Sequence, residues 1–421
     1  MLETACRGGA DILIGRHVSP PTVKRFRSID GLRAWLAWAV VLSHIVLYTA
    51  TDLRIPALLH TLDALATHAV QIFIIISGFV ITHLLLEKKE RYLPYITRRF
   101  LRIYPIYFIC LSVGVFASYL HFAAFAGHPW GEFVPQPDLM TAELNSLNGN
   151  GFAWHLLAHY TILHGAISNQ VLNVSEYMFL GPAWSLSLEW QFYIVAPLVV
   201  FGLRSQSGKI IVSLVTIAAY AAYKQGWLGD FIDPSFLPGA ALYFATGIAT
   251  RLVFAKLPNL AVYPTGAVII AAGFGIMEHQ LLPFVFWMAF VAWLRLDQPT
   301  DALSVGIDRW LNRAFNSAPA RFLGARSYST YLIHEPIIHI IVYVCITQFA
   351  LGMWHSVLLT LILTPAITVL ASVALYRYVE APSIAYGKRL FNDTPCAAAS
   401  ESDIARPTPP VLVRPVMVTP P

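Results

Sequence analysis

The sequence predicts an all-α polytopic membrane protein in which about ten transmembrane helices surround a central cavity. Of the 421 residues, 57% are hydrophobic and only 12% are charged, whereas soluble domains carry about 25% charged residues. Ten apolar segments are each long enough to cross a hydrocarbon core of ~30 Å as a helix. They lie near residues 33–50, 66–87, 104–126, 184–203, 208–225, 235–255, 260–277, 281–297, 327–348 and 356–377.

The basic residues fall almost entirely on one side of these segments. An even number of spans places both termini on the same side, and that side holds all but two of the 28 Lys and Arg residues. The exceptions are Arg54 and Lys224. Since cytoplasmic loops carry an excess of Lys and Arg, we predict that both termini are cytoplasmic.

Composition divides the chain into three regions. We expect residues 1–26 to form a flexible cytoplasmic extension, residues 27–392 the ten-helix domain, and residues 393–421 a disordered, proline-rich cytoplasmic tail. The net charge of +5 does not indicate nucleic acid, because no basic stripe is interleaved with exposed aromatic residues. The four cysteines have no metal-ligand spacing, so neither a disulfide framework nor a metal site is predicted.

The first apolar helix carries Arg33 and His44 on one face. Eleven residues of α-helix make about three turns plus 20° and a rise of roughly 16 Å, which places His44 about halfway through the hydrocarbon core. An ionisable side chain at that depth usually marks a functional site, and imidazole suits general-base catalysis near neutral pH. The alternative is a histidine that only bonds to a neighbouring helix.

Two short stretches near the second span carry small or basic residues. Arg98, Arg99 and Arg102 are neighbours on consecutive helical turns, where guanidinium groups can bind phosphate oxygens or can simply anchor the topology. Ser77 and Gly78 lie within the second span, where two adjacent small residues favour close helix packing.

Later spans contain further polar side chains. Glu189 lies about a turn and a half inside the fourth span with Ser185 at the i−4 position, and a carboxylate at that depth needs a partner or water. A structural salt bridge and a catalytic role are both open for it. In the ninth span Tyr331 and His334 share a face, which gives a second mid-membrane histidine, whereas His339 is interpreted as a packing or interface residue.

The longest external connection, residues 127–183, contains no Lys or Arg. Its aromatic content predicts an ordered segment over the outer mouth of the bundle. His155 and His159 have i,i+4 spacing, which a metal site can use, but an interfacial amphipathic helix is favoured.

Taken in order, these stretches resemble the acyltransferase-3 family of integral membrane acyltransferases. The resemblance covers about residues 27–390. It rests on Ile29-Asp30-Gly31-Leu32-Arg33 with His44 after ten further residues, Ser77-Gly78-Phe79, Arg99-x-x-Arg102, Trp184-Ser185-Leu186-Ser187-Leu188-Glu189, Ser327-Tyr328 through Tyr331 and His334, and Glu380-x-Pro382.

The resemblance implies a ten-helix enzyme of the bacterial inner membrane. Such enzymes transfer an acyl group, usually acetyl from acetyl-CoA, to a hydroxyl of a cell-envelope glycan, a lipid-linked sugar or a small metabolite. The expected partners are therefore an acyl-CoA, a hydroxylated acceptor such as a carbohydrate, and membrane lipid. No permanently bound cofactor, metal or nucleic acid is expected.

The resemblance carries over to Arg33 and His44 as the essential pair, to Arg99 and Arg102 as the donor pair, and to the Ser77-Gly78-Phe79 motif, while the other site residues below are expected from their own positions in the chain. Expected catalytic residues are His44, Arg33, Glu189, His334 and Tyr331. Expected donor-binding residues are Arg99, Arg102, Arg98, Ser77, Gly78 and Phe79. Many relatives have two consecutive glutamates where this chain has Glu189 and Trp190, and in some a hydrolase-like domain, absent from this sequence, follows the last helix.

The expected mechanism has competitors. In the favoured one, His44 acts as general base on the acceptor hydroxyl, and an acyl-imidazole intermediate is the covalent variant. A secondary transporter also uses intramembrane His, Arg and Glu, although no internal repeat is found. An inactive lipid-packed scaffold is the third alternative.

Overall fold

The fold was examined in a computed structural model that describes residues 24–49, 56–88, 90–126, 137–149, 151–254, 273–278, 280–295 and 302–391. Within these ranges all regular secondary structure is helical, which confirms the predicted all-α class. Most of the expected N-terminal extension, the whole connection between the sixth and seventh predicted spans, and the seventh predicted span up to residue 272 lie outside them. The expected C-terminal tail lies outside them too.

Fourteen helices of the described ranges are used below. They are α1 (Lys24–Thr49), α2 (Pro56–Glu87), α3 (Tyr92–Ala126), α4 (Pro137–Asn148), α5 (Phe152–Tyr160), α6 (Trp184–Gly202), α7 (Gln206–Lys224), α8 (Ala241–Phe254), α9 (Leu282–Arg295), α10 (Ala302–Asn316), α11 (Ala318–Gly324), α12 (Ser327–Tyr343), α13 (Met353–Leu375) and α14 (Ala381–Leu390). π-helical turns follow α12 and α13, at Val344–Gln348 and Tyr376–Glu380.

Six helical segments of the described chain are long and apolar enough to cross a membrane. They are Arg27–Thr49, Ala57–Glu87, Tyr92–Ala124, Gly181–Gly202, Ser327–Gln348 and Met353–Leu390. Leu237–Val253 and Leu282–Leu294 are apolar but shorter than the ~20 residues that a span needs. The protein is therefore an integral membrane protein, while the number of ten spans stays a prediction.

The first part of α1 packs against α10 and α11, two helices between the eighth and ninth predicted spans. Ser28 Oγ donates to Asn316 Oδ1 at 2.9 Å, and Trp35 Nε1 donates to the carbonyl oxygen of Ala314 at 3.0 Å. A methyl group added at Gly31 would overlap the backbone of Phe315. Backbone-to-backbone packing thus sets the position of α1 just before Arg33.

Helix α5 differs in position from the expected interfacial helix. The hydroxyls of Tyr104 and Tyr107 donate to the carbonyl oxygens of Tyr160 and His159, each at 2.8 Å. Both tyrosines belong to the interior of α3, so α5 lies along the length of that span rather than over its end. Irregular backbone next to such a helix is tolerated at membrane depth when protein covers it, and His159 is fully buried.

Candidate active site

A pocket lies between α1, α2, α3, α6, α8 and α12. Five residues that the sequence singled out line it, namely Arg33, Ser77, Arg102, Glu189 and Tyr331. Their separation in sequence shows that tertiary packing brings the motifs together. We call this space the arginine pocket. Its lining is completed by Phe73, Ile74, Ile103, Ser185, Leu186, Tyr193, Phe244, Ser327 and Tyr328.

Glu189 is held in the arginine pocket by hydroxyl groups. Ser77 Oγ donates to Glu189 Oε1 at 2.8 Å, and the Tyr193 hydroxyl donates to the same oxygen at 2.5 Å. Among the described side chains Glu189 has no ion-pair partner. Ser185, the neighbour expected from i,i+4 spacing, instead shares a 2.9 Å hydrogen bond with the Tyr331 hydroxyl.

Three guanidinium groups surround this carboxylate. Arg33, Arg99 and Arg102 are all near enough for their charges to interact with that of Glu189. Asp30 is the one described acid in an ion pair with any of them, at 3.9 Å from Arg33. Arg99 Nε is buried without a described hydrogen-bond acceptor. The lining of the pocket itself contains two guanidinium groups, of Arg33 and Arg102, and one carboxylate, of Glu189, and this excess of positive charge favours an anionic ligand.

Arg98 has different surroundings from the other arginines of its cluster. It forms an ion pair with Glu90, its Nε donates to the carbonyl oxygen of Gly387 at 3.4 Å, and its guanidinium lies 5.8 Å from the ring centroid of Phe391. These contacts join α3 to α14. Arg98 does not line the arginine pocket.

The Ser77-Gly78-Phe79 motif divides between the pocket and helix packing. A methyl group at Gly78 would lie 2.6 Å from the carbonyl oxygen of Phe244, so this glycine permits close approach of α2 and α8. Phe79 is fully buried with its ring edge-on to Trp287 at 5.5 Å. Close packing, one of the two interpretations of this motif, fits Gly78 and Phe79, whereas Ser77 contacts Glu189.

His44 and His334 form a hydrogen-bonded pair. His334 Nε2 lies 3.1 Å from His44 Nδ1, and the ring centroids are 5.1 Å apart. One nitrogen of such a neutral pair must donate and the other accept. His334 is fully buried, while His44 is half-buried and its Nε2 has no hydrogen-bond partner among the described residues.

Helix α12 connects the histidine pair to the arginine pocket. Tyr331 lines the pocket, and its ring centroid is 6.1 Å from that of His334, one turn later. His44 and His334 do not line the pocket themselves. Arg33 and His44 are thus both directed toward the same group of helices, as their shared face predicts, with Tyr331 between the pocket and the histidine pair.

Sequence reasoning missed a group of residues around the pair. The ring of Tyr48 is edge-on to His44, His121 and His339, with centroids 5.8, 5.5 and 5.0 Å away. Tyr48 also donates to Glu335 Oε1 at 2.7 Å. The interpretation of His339 as a packing residue overlooked this cluster. Two signals were present, since Tyr48 is one turn after His44 and Glu335 directly follows His334.

A second row of imidazoles lies in the external connection. The rings of His159 and His164 are stacked at 4.2 Å, and His155 lies 6.1 Å from His159. In the described part of the chain no three His, Cys, Asp or Glu side chains are arranged to bind a metal.

A helical membrane bundle with a cationic pocket and an adjoining imidazole pair has the groups that an acyl-transfer enzyme requires. The family model of acyltransferase-3, described as an acyltransferase domain, matches residues 26–377. The chain belongs to this family and is an acyltransferase. Nothing in these comparisons supports the transporter alternative.

Two curated relatives belong to the same class of enzyme. Acyltransferase MdmB of Streptomyces mycarofaciens is 26% identical over 348 residues, which cover 76% of this chain and 80% of that protein. Peptidoglycan O-acetyltransferase OatA of Listeria monocytogenes is 26% identical over 395 residues, which cover 84% of this chain and 55% of that protein. The chain thus matches little more than half of the Listeria protein. No solved structure matches it significantly.

Proposed function

We propose that the protein transfers an acetyl group from acetyl-CoA to a hydroxyl group of a cell-envelope glycan or another hydroxylated acceptor. The observation that carries the proposal is the His44–His334 pair, which adjoins a pocket with surplus positive charge. The name of the Listeria relative, a peptidoglycan O-acetyltransferase, supports acetyl as the group and a glycan as the acceptor.

The donor occupies the side of the arginine pocket that Arg102 lines, and its phosphates reach Arg99, three residues earlier on α3. The guanidinium groups of these two arginines have no ion-pair partner among the described acids, and they match phosphate oxygens in geometry and charge. Arg98, with its contacts to Glu90 and α14, positions α3. We orient this side toward the cytoplasm of a bacterial inner membrane, because basic residues concentrate there.

His44 acts as the general base. If His44 Nδ1 donates its proton to His334 Nε2, the lone pair of His44 Nε2 is free, and the tautomer is fixed by the partner on the other nitrogen. His44 Nε2 takes the proton of the acceptor hydroxyl as the oxygen attacks the thioester carbonyl carbon. When the tetrahedral intermediate collapses, the carbon–sulfur bond breaks and the CoA sulfur takes that proton, which leaves an ester and free CoA.

Other pocket residues support this reaction. Tyr331 lines the pocket, its ring adjoins His334, and its hydroxyl donates to the carbonyl oxygen of Pro182 at 3.1 Å. We assign it the role of donating instead to the oxyanion when the intermediate forms. Glu189, fixed by Ser77 and Tyr193, provides the carboxylate in the lining of the pocket. We assign it the role of orienting the guanidinium groups of the pocket before the donor binds.

The test is acetyl transfer in membranes that contain the protein. With acetyl-CoA labelled in the acetyl group, the wild-type protein transfers label to an envelope fraction, and His44→Ala loses about 10²- to 10⁴-fold of the rate, the usual contribution of a general base. His60→Ala, at an exposed position of α2, is the matched control and keeps full activity. Equal transfer by the two variants would refute the role of His44, and label retained on the protein without acceptor would indicate the acyl-imidazole route.

A further inference from the structure

Four imidazoles and a phenol form a cluster beyond the arginine pocket. Tyr48 lies at its centre, with His44 and His334 on one side and the stacked rings of His121 and His339, 4.1 Å apart, on the other. His44 and Tyr48 come from α1, His121 from α3, and the other two histidines from α12. We call these five residues the imidazole cluster.

Glu335 fixes the central ring of this cluster. Its Oε1 accepts the Tyr48 hydroxyl at 2.7 Å, and its Oε2 accepts the backbone N–H of Gly181 at 2.7 Å. The side chain is almost completely buried. Two hydrogen bonds from separate elements hold the carboxylate in one orientation, and through Tyr48 they also fix the ring that stands edge-on to His44.

The charge of this carboxylate is defined by its neighbours. Another carboxyl group, that of Glu143 in α4, lies near enough to Glu335 for the two to interact, and it is outside the spans. Burial, and after it the charge of Glu335, raises the pKa of Glu143 to about 8. Glu143 is therefore largely protonated at neutral pH. Glu335 accepts two hydrogen bonds, which favour the ionised form against the cost of burial, and a positive charge formed at His44 favours it further.

The histidine pair by itself lacks such a charge. In hydrolytic triads the histidine that takes up a proton is oriented and stabilised by a carboxylate, whereas the partner of His44 Nδ1 is the neutral ring of His334. An imidazolium formed at His44 in a water-poor site is costly without a nearby negative charge. Glu335 directly follows His334, and its carboxylate accepts a hydrogen bond from Tyr48, whose ring stands edge-on to His44 at 5.8 Å.

We infer that Glu335, acting through Tyr48, is a positioning residue that orients the His44 ring and stabilises the imidazolium that forms there during acyl transfer. The inference rests on the proposed role of His44 as general base. His121 and His339 pack against the far side of the Tyr48 ring and keep it upright.

The test compares Glu335→Gln with Tyr48→Phe in kcat, donor KM and the pH dependence of kcat. Removal of the charge or of its link to the ring lowers kcat by about 10- to 100-fold, the usual cost of losing an outer hydrogen-bond partner of a reactive group, with donor KM unchanged. The ascending limb of kcat against pH moves to lower pH in both variants, because the imidazolium has lost its counter-charge. The double variant loses no more than the more severe single variant.

Controls separate this role from a structural one and from the proposed function itself. Glu176→Gln replaces another buried carboxylate, which binds Ser235 and Asn169 outside the spans, and leaves the limb in place. Tyr48→Phe keeps the bond from Gly181 to Glu335, so it guards against misfolding of the Gln variant. The inference is overturned if the ascending limb of kcat against pH stays in place in Glu335→Gln and Tyr48→Phe, or if the losses in kcat add in the double variant. If His44→Ala transfers acetyl like the wild type, the proposed function fails instead.

Discussion

The arginine pocket and the imidazole cluster are adjacent but contain different kinds of side chain. The pocket contains permanent charges, with the guanidinium groups of Arg33 and Arg102 and the carboxylate of Glu189 in its lining and Arg99 near enough to interact with Glu189. The cluster contains neutral rings packed edge to face around Tyr48, with a single charged group at its margin. The first arrangement suits the capture of an anionic ligand, and the second suits the movement of a proton. One helix, α12, contributes to both through Tyr331 and His334.

Among variants that distinguish the roles of the pocket and the cluster, the largest effect on kcat is expected at His334. His334→Ala removes the acceptor that fixes the His44 tautomer, so kcat falls by about 10²-fold while donor KM stays constant. His334→Gln recovers part of the rate, because its amide oxygen can accept from His44 Nδ1. Steady-state kinetics with acetyl-CoA measures both variants. Equal rates for the Ala and Gln variants would show that the hydrogen bond has no role in the tautomer.

A smaller effect is expected in the pocket. Replacing Arg99 and Arg102 together by Gln raises donor KM by at least about 10-fold, since a hydrogen bond to a charged group contributes ~1.5–3 kcal/mol, and leaves the pH profile of kcat unchanged. Arg98→Gln is the matched control. It keeps donor KM but lowers the melting temperature, because it loosens α14. If all three arginines affect KM alike, the pocket is not the donor site.

Packing behind the pocket gives a third effect, on stability. Gly78→Ala places a methyl group 2.6 Å from the carbonyl oxygen of Phe244, and such overpacking costs about 1–3 kcal/mol. Thermal unfolding in detergent checks the expected loss. Gly273→Ala, where an added methyl meets nothing within 4 Å, serves as the control. If the Gly78 variant is as stable as the wild type but has a raised donor KM, Gly78 contributes to donor binding and not to helix packing.

The smallest effect concerns the margin of the imidazole cluster. Because the pKa of Glu143 is raised from 4.5 to about 8 in the folded protein, stability is greatest at low pH and decreases as the pH rises through this interval, with the full loss above pH 8. Glu143→Gln cannot ionise and flattens the dependence. Melting temperatures between pH 5 and 9 measure both proteins, and parallel curves would contradict the burial of this carboxyl.

The sequence predicted which side of its own helix each key residue occupies, but it did not predict which other helix packs against that side. Spacing within α1 placed Arg33 and His44 on one side, because helical periodicity is local. The partner of His44 is 290 residues away, at His334. Glu189 accepts from Ser77 of α2 and from Tyr193 of its own helix, and not from Ser185. The position of Tyr48 one turn after His44 was a weak signal of its role, because an apolar helix near the outer surface commonly carries a tyrosine.

The position of α5 shows a second limit of the same kind. Its sequence has an apolar side with Trp154 and Leu157 exposed, which is typical of an interfacial helix. Its other side carries His155 and His159, and these are buried against the fold. Composition alone could not distinguish a helix on the membrane surface from one lying along α3, because both have one apolar side.

The contact at Gly31 has a consequence for how the enzyme is tuned. A methyl group at Gly31 would overlap Phe315 of α10, and one at Gly324 of α11 would overlap Asp30, so neither contact can slide without a clash. The depth of Arg33 in the bilayer is consequently set by two helices that are not among the candidate spans. A tilt of α10 or α11, whatever its origin, carries α1 with it and changes the spacing of the guanidinium groups without any change in the pocket's own residues.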